Sequence, residues 1–445
     1  MIDHYDYYSL KQKVKLDRRI VFYITTYQTP HFEFNFDYFN KVKDKYSEII
    51  FLDLTEYCEY RHDYSSRNYI NFFTNFSRKV RNGIVKKIYL RYFLMKKKFS
   101  HKRIRFDRKG YTHISDLDLK KILKTYCTTE FKSSQLVNNS YTSFIISDIK
   151  NIFSSNTEFL RLMKFKVSDV FVLFNGRLPI EHSIKLSLSK LQYDKIIFHE
   201  CNQFEKKVFY LTHSPHDLSK FSKLILDYKN SNKNLENKWI NTKKPKILRS
   251  KKLFITYFTS SNDEYQFAYD KPIKQKLIID KLLKLTDEGY PIKIRVHPNT
   301  KNKSSVEKNY WSDLKAKNSS VVIDYNENIN AYDLIQKSIF TLSIGSSVAA
   351  ESIVLGVPHI LIGRQNWYHN LNICCNTEPV NFINVIKEKY NNVNKFNIIT
   401  SKKRELAAAS LLFIRDIGYK IWIHPFGTYP TKGTYDVKLR GTYKK

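Results

Sequence analysis

The chain has 445 residues, room for two or three domains at roughly 150 residues each, and 42% of them are hydrophobic, enough for substantial cores. Its 76 Lys+Arg against 42 Asp+Glu leave a formal charge of +34. That balance excludes an acidic scaffold and favours polyanionic partners: nucleic acid, an anionic membrane face, acidic glycans or nucleotide donors.

The N-terminus, MIDHYDYYSLKQKVKLDRR, carries no apolar core of a signal peptide. No stretch reaches the roughly 18 apolar residues of a membrane span, so any membrane contact is expected to be peripheral. Residues 20–25 read as a first strand, Gln28–Phe36 as an aromatic, polar loop with His31 and Glu33, Asp37–Tyr46 as a helix and residues 49–54 as a second strand. This is the rhythm of an open parallel sheet. Residues 67–108 mix aromatic and basic side chains, including Lys96-Lys-Lys98, and fit either a docking surface or a solvated helix face. Asp116-Leu-Asp118 has the spacing of a metal-binding acid pair. Ser115 before it and the apolar period of Leu117–Tyr126 after it point instead to a helix N-terminus.

Asp169–Phe174 is a buried strand running into Asn175-Gly176-Arg177, and Lys195–Phe198 runs into His199-Glu200. His213-Ser-Pro-His216-Asp217 follows in a loop. Open α/β sheets hold ligands just beyond the carboxyl ends of their strands, so these three motifs mark a candidate site. The five cysteines (Cys58, Cys127, Cys201, Cys374, Cys375) are odd in number and lack CxxC spacing, which predicts reduced thiols and a cytoplasmic setting.

Asn230–Lys251 is polar and basic and reads as a linker. The expected organisation is an acceptor-binding lobe over 1–245, a nucleotide-binding lobe over 246–420 and a tail over 421–445. The second lobe opens with strand Leu253–Phe258 and a loop of hydroxyls, amides and acids from Thr259 through Ser260 and Ser261 to Glu264. An amphipathic helix over Lys274–Asp287 and a strand over Ile292–Val296 follow, the latter within Arg295-Val-His297-Pro298-Asn299. Val321–Ile323 reads as a strand and Ala331–Ser338 as a helix. Thr341–Gly363 then spells strand, turn, short helix, turn and strand. The turn is Gly345-Ser346-Ser347, Glu351 lies one helical turn on, and Gly356 sits where a left-handed helix stop is wanted. Backbone donors and hydroxyls aimed out of a strand end suit phosphate, and Glu351 suits ribose hydroxyls. The same small residues also fit close helix–sheet packing. Neither GxGxxG nor GxxxxGK[ST] occurs, against a dinucleotide dehydrogenase or P-loop NTPase. Ser401–Ile417 is expected to be the last helix.

RVHPN, the Tyr332–Ile335 segment and GSSVAAESIVLGVPHILIG resemble the capsule polysaccharide biosynthesis family of GT-B glycosyltransferases. FNGR at Phe174–Arg177, FHE at Phe198–Glu200 and PHD at Pro215–Asp217 are similar to motifs in related surface-polysaccharide proteins. The pairing of His-Pro with Ser-Ser also resembles enzymes that use CMP-activated acidic sugars. The resemblance spans about residues 165–370. It departs at Ala349-Ala350, where family members often carry Gly-Ile. It implies two Rossmann-like α/β lobes with parallel sheets facing a central cleft. It further implies a nucleotide-sugar donor, a polysaccharide or lipid-linked acceptor, no nucleic acid and transfer without a bound metal or other cofactor. In this reading His297, Ser346 and Ser347 hold the donor phosphate, Arg295 pairs with it or is structural, and Glu351 holds ribose. Glu200 is the first candidate for general base and Asp217 the second, with His199, His31 and Glu33 behind them. A glycerophosphotransferase of teichoic-acid type, a nucleotide-sugar 2-epimerase and a basic, non-catalytic polysaccharide-binding protein remain alternatives.

Overall fold

The computed structural model describes residues 3–26, 31–54, 85–106, 113–131, 140–176, 178–202, 207–215, 217–247, 251–260, 275–298, 300, 305–319, 321–323, 327, 329–363, 368–396 and 398–418. Arg177, Ser261, His216, Arg364 and the expected tail lie outside the described residues. Two compact units emerge: Met1–His216 with Ile417 and Gly418, and Asp217–Asp416.

The first unit is built on a seven-stranded sheet in the order β4-β1-β3-β2-β5-β6-β7. Its strands are β1 (Asp3–Lys11), β2 (Arg19–Ile24), β3 (Glu48–Asp53), β4 (Ser100–Phe106), β5 (Val170–Phe174), β6 (Ile196–Asn202) and β7 (Lys207–Leu211). The central four, β3-β2-β5-β6, are parallel, with Ile20 opposite Ile49 and Val170 and Phe174 opposite His199. Parallel strands are covered on both faces, which is why they read as unbroken apolar runs such as IVFYI and VFVLF. The flanking pairings β3–β1, β1–β4 and β6–β7 are antiparallel. These strands escaped sequence reading because DHYDYYSLK and SHKRIRF carry too many charges to resemble buried strands. The loop expected over 28–36 is also corrected over residues 31–36: His31–Val42 is one helix. Its Phe32, Phe34, Phe36 and Phe39 are all buried, so aromatic packing outweighs the modest helix propensity of Phe and Asn. Each such buried ring contributes about 1.5–3 kcal/mol. Asp116 and Asp118 open the helix Asp116–Phe131, as expected, and the Asp118 amide donates to Ser115 Oγ at 3.2 Å.

The second unit holds a six-stranded parallel sheet, β10-β9-β8-β11-β12-β13. The strands are β8 (Phe254–Phe258), β9 (Ile292–Arg295), β10 (Val322–Ile323), β11 (Ser338–Ser343), β12 (His359–Ile362) and β13 (Cys375–Thr377). Counted from β8, the chain winds outward to β9 and β10, then returns to β11 and winds the other way. Strand order therefore reverses between β8 and β11, the doubly wound Rossmann arrangement. The expected α/β class with two Rossmann-like sheets is observed. Gly356 has φ +73° after the helix Val348–Val354, the left-handed stop read from the sequence.

The polar stretch 230–251 is no simple linker. It contains the helix Leu235–Lys243, whose Trp239 is 1% exposed and meets Tyr332 edge-on. Glu405, on the helix Ser401–Asp416, accepts from the Leu235 and Glu236 amides, and Arg404 pairs with Glu236 at 3.1 Å. These contacts tie the helix Leu235–Lys243 to the compact unit Asp217–Asp416. Cys201, Cys374 and Cys375 are free thiols. Among the described residues, no helix is long and apolar enough to cross a membrane and no group of His, Cys, Asp and Glu has metal-site geometry.

Candidate functional site

In the first unit, strand order reverses between β2 and β5, and the residues just past their carboxyl ends come together. β5 delivers Asn175 at φ +21° and Gly176 at φ +72°. A Cβ on Gly176 would lie 2.5 Å from the Phe198 ring, so both backbone conformation and close approach require glycine there. The turn holds Asn175 so that its amide donates to the His199 carbonyl at 3.1 Å and its Nδ2 donates to Glu200 Oε2 at 3.1 Å. Ser214 Oγ donates to the Asn175 carbonyl at 3.2 Å, bringing in the loop after β7. Glu200 Oε1 accepts from the Cys201 amide at 2.8 Å and lies 3.9 Å from His31 Nε2. The Glu200 side chain is 17% exposed, so its carboxylate is oriented by the protein yet open to solvent.

The two histidines behind it are closed off. His31 lies against the Phe174 ring at 3.8 Å, and burial, with His199 alongside, holds its imidazole pKa well below the usual value. His199 is 1% exposed, stacks on Phe34 at 4.4 Å, and burial pushes its pKa down to about 3. Among the described residues, neither of its ring nitrogens has a hydrogen-bond partner. The structure therefore gives His199 a packing position and Asn175 a positioning contact, and leaves Glu200 as the open carboxylate of the cluster. Asp217 has separate employment: it caps the helix Leu218–Ser231 by accepting from the Lys220 amide at 3.1 Å.

In the second unit, β9, β8 and β11 are adjacent, and their carboxyl ends carry His297, Ser260 and Gly345-Ser346-Ser347. The ends of β8 and β9 are pinned together: the Thr259 amide donates to the Arg295 carbonyl, and Thr259 Oγ1 accepts from the His297 amide at 2.8 Å. The Ser260 amide donates to Gln275 Oε1 at 2.9 Å, while the Ser260 hydroxyl is buried without a partner among the described residues. Gln275 was missed in the sequence; a lone glutamine opening a helix gives no signal until the fold brings it to Ser260. Gly345, Ser346 and Ser347 are half-buried at the mouth of β11. Ser346 Oγ accepts from the Val348 amide at 3.4 Å, and Ser347 makes no side-chain cap of the helix it precedes.

Glu351 sits beneath this turn, with Ser347 Oγ 3.5 Å from its Oε1. Burial raises its pKa, while Lys243 and the Ser347 hydrogen bond pull it back. Arg295 donates from Nη2 to the Ile329 carbonyl at 3.1 Å, the structural one of its two expected uses, and burial lowers its pKa. Pro298 is exposed. Below the turn, the His359 ring meets Thr341 Oγ1 at 2.8 Å and Ser343 Oγ at 2.9 Å, and Thr341 also donates to Ser352 at 2.8 Å. That buried network ties β11 to β12 and fixes where the Gly-Ser-Ser turn emerges.

No protein-family model and no curated protein matches the sequence. Among solved structures, the chain is similar to Thermosulfurimonas dismutans KpsC, beta Kdo 2,7 transferase, at 12% identity, covering 67% of this chain and 88% of that one, with TM-score 0.35. It is similar to the beta Kdo 2,4 transferase of the same organism's KpsC at 11% identity, 54% and 78% coverage and TM-score 0.33. A UDP-forming trehalose-phosphate synthase from Burkholderia xenovorans matches at 9% identity, 68% and 83% coverage and TM-score 0.31.

Proposed function

We propose that this chain is a GT-B glycosyltransferase of the capsule-polysaccharide kind. It would move a sugar from a nucleotide-activated donor, a CMP-sugar first, to a surface polysaccharide or glycolipid acceptor. The observation that carries this reading is the placement of His297, the buried Ser260 hydroxyl and the Gly345–Ser347 turn at the carboxyl ends of the adjacent strands β9, β8 and β11, beside the point where strand order reverses in the second unit. Open α/β sheets bind nucleotides at that position. His297 and the serine hydroxyls are suited to a donor phosphate and to the charge that grows on it as the glycosidic bond breaks, because preorganised donors act without reorganising. Glu351 is the ribose contact of this proposal, reached by releasing its weak approach to Ser347. In the first unit, Glu200 is the general base that takes the acceptor hydroxyl's proton, with Asn175 orienting one carboxylate oxygen and the buried, neutral His31 facing the other. Asp217, committed to a helix cap, is left out of the chemistry.

A thermal-shift panel of the full chain against CMP, CDP, UDP, GDP and ADP tests this directly, since a ligand that binds the native state stabilises it by mass action. The expected result is a shift selective for CMP. Selectivity for UDP or GDP changes the donor, and selectivity for CDP favours glycerophosphotransfer. The absence of a shift with every nucleotide overturns the transferase reading in favour of a non-catalytic binder.

A further inference from the structure

We propose that the helical residues 85–96 and the edge strand β4 form a surface that docks on an anionic bilayer. The helix buries Leu90 and Leu94 in the aromatic core of the first unit. On its other side Ile88, Tyr92 and Met95, at spacings of four and three, are 62%, 61% and 74% exposed. Those spacings stack the three side chains along one helical stripe. Elsewhere among the described residues, exposed large apolar side chains are scattered along many elements, and isolated ones need no explanation. A stripe of three on one short helix does.

The surroundings of the stripe identify its partner. From Val85 to Phe106 the sequence contains no Asp or Glu, while Lys86, Lys87, Arg91, Lys96, Lys97, Lys98, Lys102, Arg103 and Arg105 all fall within it. Arg91, Lys96, Lys97 and Lys98 are exposed beside the stripe, and His101, Lys102 and Arg103 are exposed on β4, which ends the sheet. Asp6, on the neighbouring β1, is 7% exposed and already engages Arg103 at 2.9 Å, His101 at 3.1 Å and Arg91 at 3.8 Å. It neutralises little of the patch. Aliphatic and aromatic side chains rimmed by cations match a bilayer interface, with apolar groups entering the acyl boundary and lysines meeting anionic headgroups. A nucleic acid would use the cations but leave Ile88 and Met95 without an apolar partner. The inference stands independently of the donor site, which lies in the other unit.

Vesicle flotation of the full chain tests it, using neutral phosphatidylcholine vesicles and vesicles that also contain phosphatidylglycerol, at low and high salt. The wild type is expected to float with the anionic vesicles alone and to be released by salt. Lys96→Glu/Lys97→Glu/Lys98→Glu is expected to weaken partitioning on the order of a hundredfold, at about 1 kcal/mol per cation. Ile88→Ser/Met95→Ser is expected to weaken it by roughly tenfold, as loss of apolar insertion requires. Circular dichroism and melting of both variants should match the wild type, because every substituted side chain is exposed. Equal binding to neutral and anionic vesicles, or no binding to either, overturns the proposal. So does tight binding to homopolymeric RNA with vesicle partitioning unaffected by the Ile88/Met95 pair, which would mark a nucleic-acid face.

Discussion

His199, opposite Phe174 at the carboxyl end of β5, and His359, which opens β12 opposite Thr341, are buried strand histidines, one in each unit. Each is 1% exposed, and each lies on a strand adjoining the one that carries a strand-end turn: Asn175-Gly176 beside His199, Gly345–Ser347 beside His359. Burial depresses both imidazoles to about 3. Their surroundings differ. His359 meets a hydroxyl at both ring nitrogens, whereas His199 has aromatic rings on its faces and, among the described residues, no hydrogen bond at either nitrogen. A buried polar group left unpaired costs about 1–3 kcal/mol, so the second unit supports its turn on a satisfied network while the first tolerates a mismatch directly behind Glu200.

If the units divide the labour in this way, damage to each should have a distinct signature. The largest effect is expected from Glu200→Gln in the first unit. Turnover should fall by about 10²–10⁴-fold, the usual range for a positioned general base, while nucleotide affinity in the second unit stays unchanged. Retained activity would remove Glu200 from the chemistry. A smaller effect is expected from His359→Leu, which deprives the Thr341 and Ser343 hydroxyls of their ring partner and should cost about 1–3 kcal/mol in urea unfolding. The same variant tests the pH dependence. A histidine with a native pKa near 3 stays neutral in the fold while the unfolded chain takes up a proton below its ordinary value of about 6.5. Its stabilising contribution is therefore complete above that unfolded value and is lost as pH falls toward the native one. The slope is about 1.4 kcal/mol per pH unit per histidine. Removing His359 should flatten the acid limb by one histidine's share; identical slopes for variant and wild type would contradict the buried, neutral assignment.

The second unit was the more legible in sequence for a physical reason. Its sheet is wholly parallel and covered on both faces, so strands such as Phe254–Phe258 and His359–Ile362 read as apolar runs, and Gly356 and Pro358 punctuate them. The first unit wraps its parallel centre in β1, β4 and β7; β1 buries polar residues such as Asp6 and Ser9, while β4 and β7 expose some of theirs, and both break the apolar signal. The helix His31–Val42 alternates Phe with polar residues in a strand-like period, yet it folds as a helix because nearly its whole circumference is buried. At the candidate sites, spacing singled out His297, Gly345–Ser347 and the Asn175–Glu200 neighbourhood. It missed tertiary partners such as Gln275 for Ser260 and Ser214 for Asn175. It also did not distinguish His199, turned into the core, from Glu200, which lies one residue on and opens outward.

The division of labour is tested most directly by isothermal titration of the nucleotide selected in the thermal-shift panel into the wild type and His297→Ala. Thr259 contacts His297 through its backbone amide, so that hold on the β9 end survives the substitution. The account predicts an unchanged melting temperature without ligand and loss of measurable nucleotide binding. Undiminished affinity in His297→Ala would contradict it and take the donor phosphate away from the point where the second sheet reverses its strand order.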